Sequence, residues 1–314
     1  MAAKASVKTP KKDSVAPAAS DAQVNSSARA KSSKRKLAVA APAEPPVRQL
    51  SIEERWASLE ERLLKGEPEF QRAYRESLDM SWIYHDSALE GSVYTPIELR
   101  SAVDPGSPTF ASIASFAAGA GGTDSSIQPI CEEIRRHREA LDFIRDYATK
   151  KRMPITIDVV KKIYLILHPE EGDIKTVRYR KDIPQHRLYF HEYAPPDKIT
   201  YKVRQILDWT NDPETRRTRS AVRIAARAHY DLLRVFPFTT DSGKVARLFM
   251  NLLLMRSGFP PAIVHSTERQ RYYEALKGAS AIMTQIVHES IENNLASVEK
   301  LLDAHESKGY AVKV

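Results

Sequence analysis

The chain has 314 residues, with 48 Lys and Arg against 40 Asp and Glu, and a single cysteine, Cys131. One cysteine excludes an internal disulfide framework and any cysteine-based zinc cluster, and points to a reducing compartment. The charge is uneven: residues 1–50 hold ten basic and three acidic residues while the remainder holds 38 and 37, so the basic character belongs to the tail and the body gives no compositional reason to expect nucleic-acid binding.

The first 50 residues are rich in Ala, Ser, Pro and Lys and carry too little apolar surface to fold. The start, MAAKASVKTPKKDS, lacks the apolar core of a signal peptide, and no apolar run is long enough to span a bilayer. These features predict a cytoplasmic protein with a disordered basic tail. The run KSSKRK, Lys31 to Lys36, suits nucleic acid or an anionic surface. A solvated leader is the other reading of the same run.

Order is expected from Ser51. SIEE is a capping box, in which Ser51 accepts from the Glu54 amide and Glu54 reaches back. The helix that follows places Trp56, Leu59, Leu63 and Leu64 on one face and stops at Gly66. A second helix from about Phe70 leads through Tyr84 to HDSALEGS. TPIE then opens a short helix, with Pro96 at a position where its missing N–H costs nothing. Residues 107–126, small and partly apolar, read as a long surface insertion. Helices are expected near residues 130–149 and 158–168. HRLYFHEYAPP, residues 186–196, alternates and ends in a double proline, the pattern of a hairpin. Helices then continue to about Leu302. The expected organisation is a tail over 1–50, N-terminal helices with the insertion over 51–128, a core over 129–306 and a short C-terminal tail over 307–314. The expected fold class is mostly α, with one small β-hairpin.

The segment VFPFTTDSGKVARLFMN, residues 235–251, runs from a polar turn into an apolar helix, the form of an anion site at a helix N-terminus. The segment VFPFTTDSGKVAR resembles the Fic (Fido) signature HPFx[DE]GNGRxxR. AARAHYDLLRVFPF resembles that family's helix leading into the signature, and RLFMNLLLMRSGFPPAIV its signature helix and exit. STERQRYYEALKGAS is similar to the later segment in which Arg269, Tyr272 and Tyr273 lie near a nucleotide base. YRKDIPQHRLYFHEYAPP resembles the flap hairpin, with Arg187, Tyr189 and His191 on it. HDSALEGS resembles the inhibitory motif [ST]xxxE[GN], with Glu90 as its glutamate and Asp86 in place of Ser or Thr. The resemblance covers roughly residues 50–300 and implies a Fic-fold helical bundle with a β-hairpin flap.

Members of that family mostly transfer AMP from ATP to a hydroxyl of a target protein. The resemblance implies ATP and Mg²⁺ as cofactors, a flap that adds a strand to the target, and an inhibitory Glu90 paired with Arg247. The chain departs from the signature at its chemical positions. Phe236 stands at the base position, Thr240 at the metal position, Asp241, Ser242 and Gly243 in the Gly-Asn-Gly turn, and Lys244 at the first arginine. Arg247 alone is retained of the charged set. Loss of a positioned base costs about 10²- to 10⁴-fold. Asp241 is the remaining candidate for Mg²⁺, although Asp241 or Ser242 is equally placed to be only the helix N-cap. Ser242, Gly243, Lys244, Arg247, Tyr272 and Tyr273 remain candidates for nucleotide or anion binding.

No histidine stands out as a replacement base. His168 reads as a helix-end residue, His186 and His191 lie on the flap candidate, and His229 is two turns before Phe236. The expectation is a catalytically degenerate Fic-like protein that binds a protein partner through the flap groove or residues 107–126, requires no cofactor, and can retain nucleotide binding. The alternatives are an active transferase with altered active-site residues and a protein acting on nucleic acid through its tail.

Overall fold

The computed structural model describes residues 49–103, 127–184 and 192–311. The insertion at 107–126 and the flap residues Arg187, Tyr189 and His191 lie outside them. Eleven α-helices occur among the described residues: α1 (Ile52–Lys65), α2 (Pro68–Glu90), α3 (Pro96–Val103), α4 (Ile127–Thr149), α5 (Ile157–Leu167), α6 (Ile199–Asn211), α7 (Pro213–Thr218), α8 (Ala221–Val235), α9 (Ser242–Arg256), α10 (Arg269–Lys277) and α11 (Ser280–Ala311). The expected hairpin is not seen. Among the described residues there is no strand, and residues 192–195, the described end of that stretch, are irregular up to a 3₁₀ turn at Pro196–Lys198. No described helix is long and apolar enough to cross a membrane.

Local chemistry sets the helix boundaries. The Glu54 amide donates to the Ser51 hydroxyl at 3.2 Å and the Ser51 amide to Glu54 at 2.9 Å, completing the capping box of α1. Thr95 and Glu98 repeat the arrangement at α3, with the Thr95 amide 2.6 Å from the Glu98 carboxylate. α2 begins at Pro68 rather than Phe70, because proline is tolerated at the first helical position. It ends at Gly91, whose φ of 100° is open to glycine at little steric cost. α11 runs beyond the expected core boundary at 306. Its last turns are drawn against α1, where Arg62 reaches Asp303 at 2.7 Å and Glu306 at 3.0 Å.

The bundle is built around α9. Every residue from Ser242 to Leu254 is buried, so this helix has no solvent face and is enclosed by α8, α4, α5 and α2. α8 buries Val222, Ala225, Leu232 and Leu233 while Arg223 and Arg227 stay exposed, a strongly two-faced helix. The turn between α8 and α9, residues 236–241, is thereby held at the meeting point of the central helices.

Candidate functional site at the turn between α8 and α9

Phe236 ends α8 with φ 48° and ψ 67°, a left-handed conformation that costs a non-glycine residue about 1–2 kcal/mol. Its amide still donates to Leu232 O at 2.8 Å. Its ring is buried, 5.0 Å from the Tyr193 ring. The carbonyls left open at this helix end converge on Arg180. The guanidinium donates to Phe236 O at 2.6 Å, Val235 O at 3.0 Å, Ala194 O at 2.5 Å and Asp182 O at 2.8 Å. A cation is favoured at a helix C-terminus, and this one is satisfied by carbonyl dipoles. Burial draws the Arg180 pKa down.

The middle of the turn is apolar and closed. Phe238 is fully buried and stacks on Tyr164, with ring centroids 3.9 Å apart. The Ser242 hydroxyl folds back on it, accepting from the Phe238 amide at 2.8 Å and donating to Phe238 O at 3.0 Å. Ser242 is therefore engaged within the turn and does not offer its side chain to an anion.

Asp241 occupies the N-cap position of α9 in a second left-handed conformation, φ 50°, but its side chain caps nothing. The carboxylate instead meets His168 Nε2 at 2.8 Å and Lys244 Nζ at 3.1 Å. Burial works against its charge, yet the His168 hydrogen bond and the Lys244 charge outweigh burial and hold it well below the usual carboxylate range. His168 Nδ1 lies 3.0 Å from Glu170, and Thr240 Oγ1 lies 3.3 Å from His168 Nε2. Burial lowers the His168 pKa, but the hydrogen bonds to Asp241 and Glu170 raise it beyond its ordinary value overall. A carboxylate faces each nitrogen of the ring. His168 is thus part of the turn's charge network and more than a helix-end residue. Lys244 also donates to Glu133 at 3.0 Å, and burial of its ammonium is outweighed by the charges of Asp241 and Glu133.

One turn further along α9, Arg247 is buried between two carboxylates of α2. Its Nη2 meets Glu90 at 2.7 Å and Asp86 O at 3.2 Å, and its Nε donates to the Asp86 carboxylate. Asp86 also lies 3.0 Å from His137 Nε2. Burial opposes the Asp86 charge, but Arg247 and then His137 outweigh it and keep the carboxyl below its ordinary value. Asp86, a departure from the inhibitory motif, is thus a principal partner of Arg247. Tyr272 is fully buried, 3.4 Å from Arg247 Nη1 and 2.8 Å from His229 Nε2. Burial, assisted by Arg247, draws His229 down to about 3, so the ring is neutral and far from base work at the turn. Tyr273 and Arg269 both donate to Leu89 O, pinning the end of α2.

The charges close on one another. Arg136, His168, Lys244 and Arg247 meet Glu170, Asp241, Glu133, Asp86 and Glu90, so each of these four cations has a carboxylate partner. The residues present do not fit Mg²⁺. The only carboxylate of the turn already serves two cations, and no group of three or more His, Cys, Asp or Glu suited to a metal occurs among the described residues. A triphosphate would have to displace Glu90 or Asp86 from Arg247, and Asp241 or Glu133 from Lys244. Gly243, buried in the first turn of α9, carries no side chain and leaves only its backbone to an anion. A cavity of about 770 Å³ lies elsewhere, between α2, the turn at Ser266–Glu268 and α11. Arg271 on its wall is already held by Glu268 and Glu289. Volume alone points to that cavity, whereas the converging titratable groups point to the turn.

The chain is similar to known proteins along most of its length. Residues 154–254 match the Fic/DOC family. A protein adenylyltransferase Fic from Nematostella vectensis is 27% identical over 269 residues, covering 77% of this chain and 57% of the relative. Protein adenylyltransferase fic-1 from Caenorhabditis elegans is 28% identical over 244 residues, covering 74% and 43%. The chain spans about half the length of these curated relatives. Among solved structures, a Fic domain containing signaling protein from Bacteroides thetaiotaomicron superposes with a TM-score of 0.63 at 20% identity, covering 82% of this chain and 98% of that one. Fic-1 from C. elegans superposes with a TM-score of 0.56 at 24% identity, covering 82% and 73%.

Proposed function

Because the chain carries a Fic/DOC-family domain, we propose that it is a protein-directed member of the adenylyltransferase class whose signature turn binds rather than transfers. The observation that carries this reading is Phe236. Where the family resemblance places a proton-accepting imidazole, the chain has a buried hydrocarbon ring. Without a positioned base, transfer falls by about 10²- to 10⁴-fold. The self-neutralised charges around Lys244 and Arg247 support the same reading, since they leave a triphosphate no free cation. The partner is a protein segment, engaged through the flap stretch around Arg187, Tyr189 and His191 or through residues 107–126.

A second reading, an active transferase with a rebuilt site, has its own support. The relatives that match are protein adenylyltransferases by name. His168 also brings an imidazole to the turn, within 3.3 Å of Thr240 and 2.8 Å of Asp241. As a base it would have to lose a proton that Asp241 and Glu170 stabilise, so this reading requires activity that rises with pH and vanishes in His168→Gln.

The deciding experiment incubates the full chain and its Glu90→Gly variant with ATP labelled on the α-phosphate, Mg²⁺ and a protein lysate. Calorimetric titration with ATP runs in parallel. No label from either form, with a protein still captured through the flap stretch, is the expected result. A labelled band lost in His168→Gln overturns the binding reading and installs the second.

A further inference from the structure

Arg223 and Arg227 lie one turn apart on the first half of α8, and Arg219 stands in extended backbone just before its N-cap, Ser220. This is the end of α8 remote from Phe236. With Trp209 and the hydroxyl residues Ser220, Ser280 and Thr284 they line a cleft of about 430 Å³. A second cleft of about 230 Å³ shares Arg219 and is walled by Lys151, Arg216 and Arg256. The two clefts gather six cationic side chains against one carboxylate, Asp231. Residues 51–314 as a whole carry 38 basic and 37 acidic residues, so the concentration is local.

The charges here are not compensated, in contrast to those at the turn. Asp231 is engaged by Arg227 on the same helix at 2.6 Å. Among the described residues the guanidiniums of Arg219 and Arg223 have no ion pair or hydrogen bond. Arg216 donates only to neutral acceptors, Thr210 O at 2.8 Å and Asn211 at 3.0 Å. Arg256 donates through one nitrogen to Lys151 O at 2.6 Å and to Met153 O, while its other terminal nitrogen is buried without a partner. Two helices also begin at the first cleft. α8 starts behind Ser220 and α11 starts at Ser280, and each adds the positive end of its dipole.

We propose that the adjoining clefts form one binding site for a small polyanion carrying two or more phosphate groups, one in each cleft with Arg219 shared between them. Guanidinium forks match phosphate oxygens in a bidentate geometry. The concave shape and the small-molecule volumes suit a soluble ligand and not the plane of a bilayer.

The test titrates the full chain with inorganic tripolyphosphate by calorimetry near physiological salt, with orthophosphate as the single-phosphate comparison. The expected result is saturable binding of tripolyphosphate at least tenfold tighter than of orthophosphate. The exposed pair Arg219→Ser and Arg223→Ser together should weaken it at least tenfold while the unliganded melting temperature stays unchanged. Replacing Lys31, Lys34 and Lys36 of the basic tail by Ser should leave it intact. Binding that survives in the Arg219/Arg223 variant, binding lost in the tail variant, or no binding by the wild type overturns the proposal.

Discussion

Arg247 and Asp86 face each other in the interior with about 3% of either side chain exposed. Glu90, also bonded to Arg247, keeps 15% exposure. The two carboxylates therefore differ in kind. Asp86 is the buried counter-charge and Glu90 the partner nearer the surface. Asp86→Ala should destabilise the chain by about 3–5 kcal/mol, since it strands a buried guanidinium. Glu90→Ala should cost less, about 1–3 kcal/mol, because Asp86 still neutralises Arg247. Denaturant melts of each single and of the double with Arg247→Ala check this, with a coupling of roughly 0.5–3 kcal/mol expected for the pairs in contact. Equal effects for Asp86 and Glu90 would refute the ranking.

Two histidines should bend the pH profile in opposite directions. The folded pKa of His168 is raised, so its contribution is fully present below the unfolded value of about 6.5 and is lost as pH rises through the folded value. The folded pKa of His229 is depressed to about 3, so the unfolded chain binds a proton that the folded chain does not. Its contribution weakens as pH falls below about 6.5. Melting temperatures from pH 4 to 8.5 should show His168→Gln flattening the alkaline side and His229→Gln flattening the acid side.

Ser242 closes the turn through both polar atoms of the Phe238 backbone. Ser242→Ala should cost about 1–3 kcal/mol, because a buried amide loses its acceptor. The same geometry bears on restoring the family signature. Phe236→His, Thr240→Asp and Ser242→Asn together remove the clasp while replacing the missing groups, so the triple variant should melt below the wild type even if it gains transfer. Thermal melts beside the labelled-ATP assay separate the two effects.

Arg180→Lys should be among the most damaging exchanges of like charge. A lysine ammonium is a point donor and cannot meet Asp182, Ala194, Val235 and Phe236 together as the guanidinium does. A loss of about 3 kcal/mol is expected, as for other broken buried networks. A melt within about 0.5 kcal/mol of the wild type would show that the carbonyls find other donors.

Local signals made much of this fold legible in the sequence. The capping boxes at Ser51 and Thr95 and the stop at Gly66 each depend on residues within one turn, so spacing alone reveals them. The apolar character of α9 is legible in VARLFMNLLLM, broken only by Arg247 and Asn251. The pairing of Glu90 with Arg247 came through family resemblance. What stayed hidden links residues far apart in the chain: His168 with Asp241 at 73 positions, Lys244 with Glu133 at 111, and Arg247 with Asp86 at 161. Such contacts leave no period and no motif. Asp241 does stand at the N-cap of α9, as its spacing predicts, but its left-handed backbone turns the carboxylate toward His168 instead of the first amides of the helix. The basic clefts leave no mark on the net charge of residues 51–314, because only folding brings Lys151 and Arg256 beside Arg219.

The four carbonyls on Arg180 have a consequence for how the molecule can vary. Asp182 lies before residues 185–191 and Ala194 after them, while Val235 and Phe236 mark the end of α8. One side chain therefore joins the backbone on both sides of residues 185–191 to the end of α8. Arg180 ties two points of the chain twelve residues apart to one helix end. Substitutions confined to residues 185–191 should leave that clasp, and with it the shape of the turn, as it is, because every carbonyl on Arg180 lies outside them.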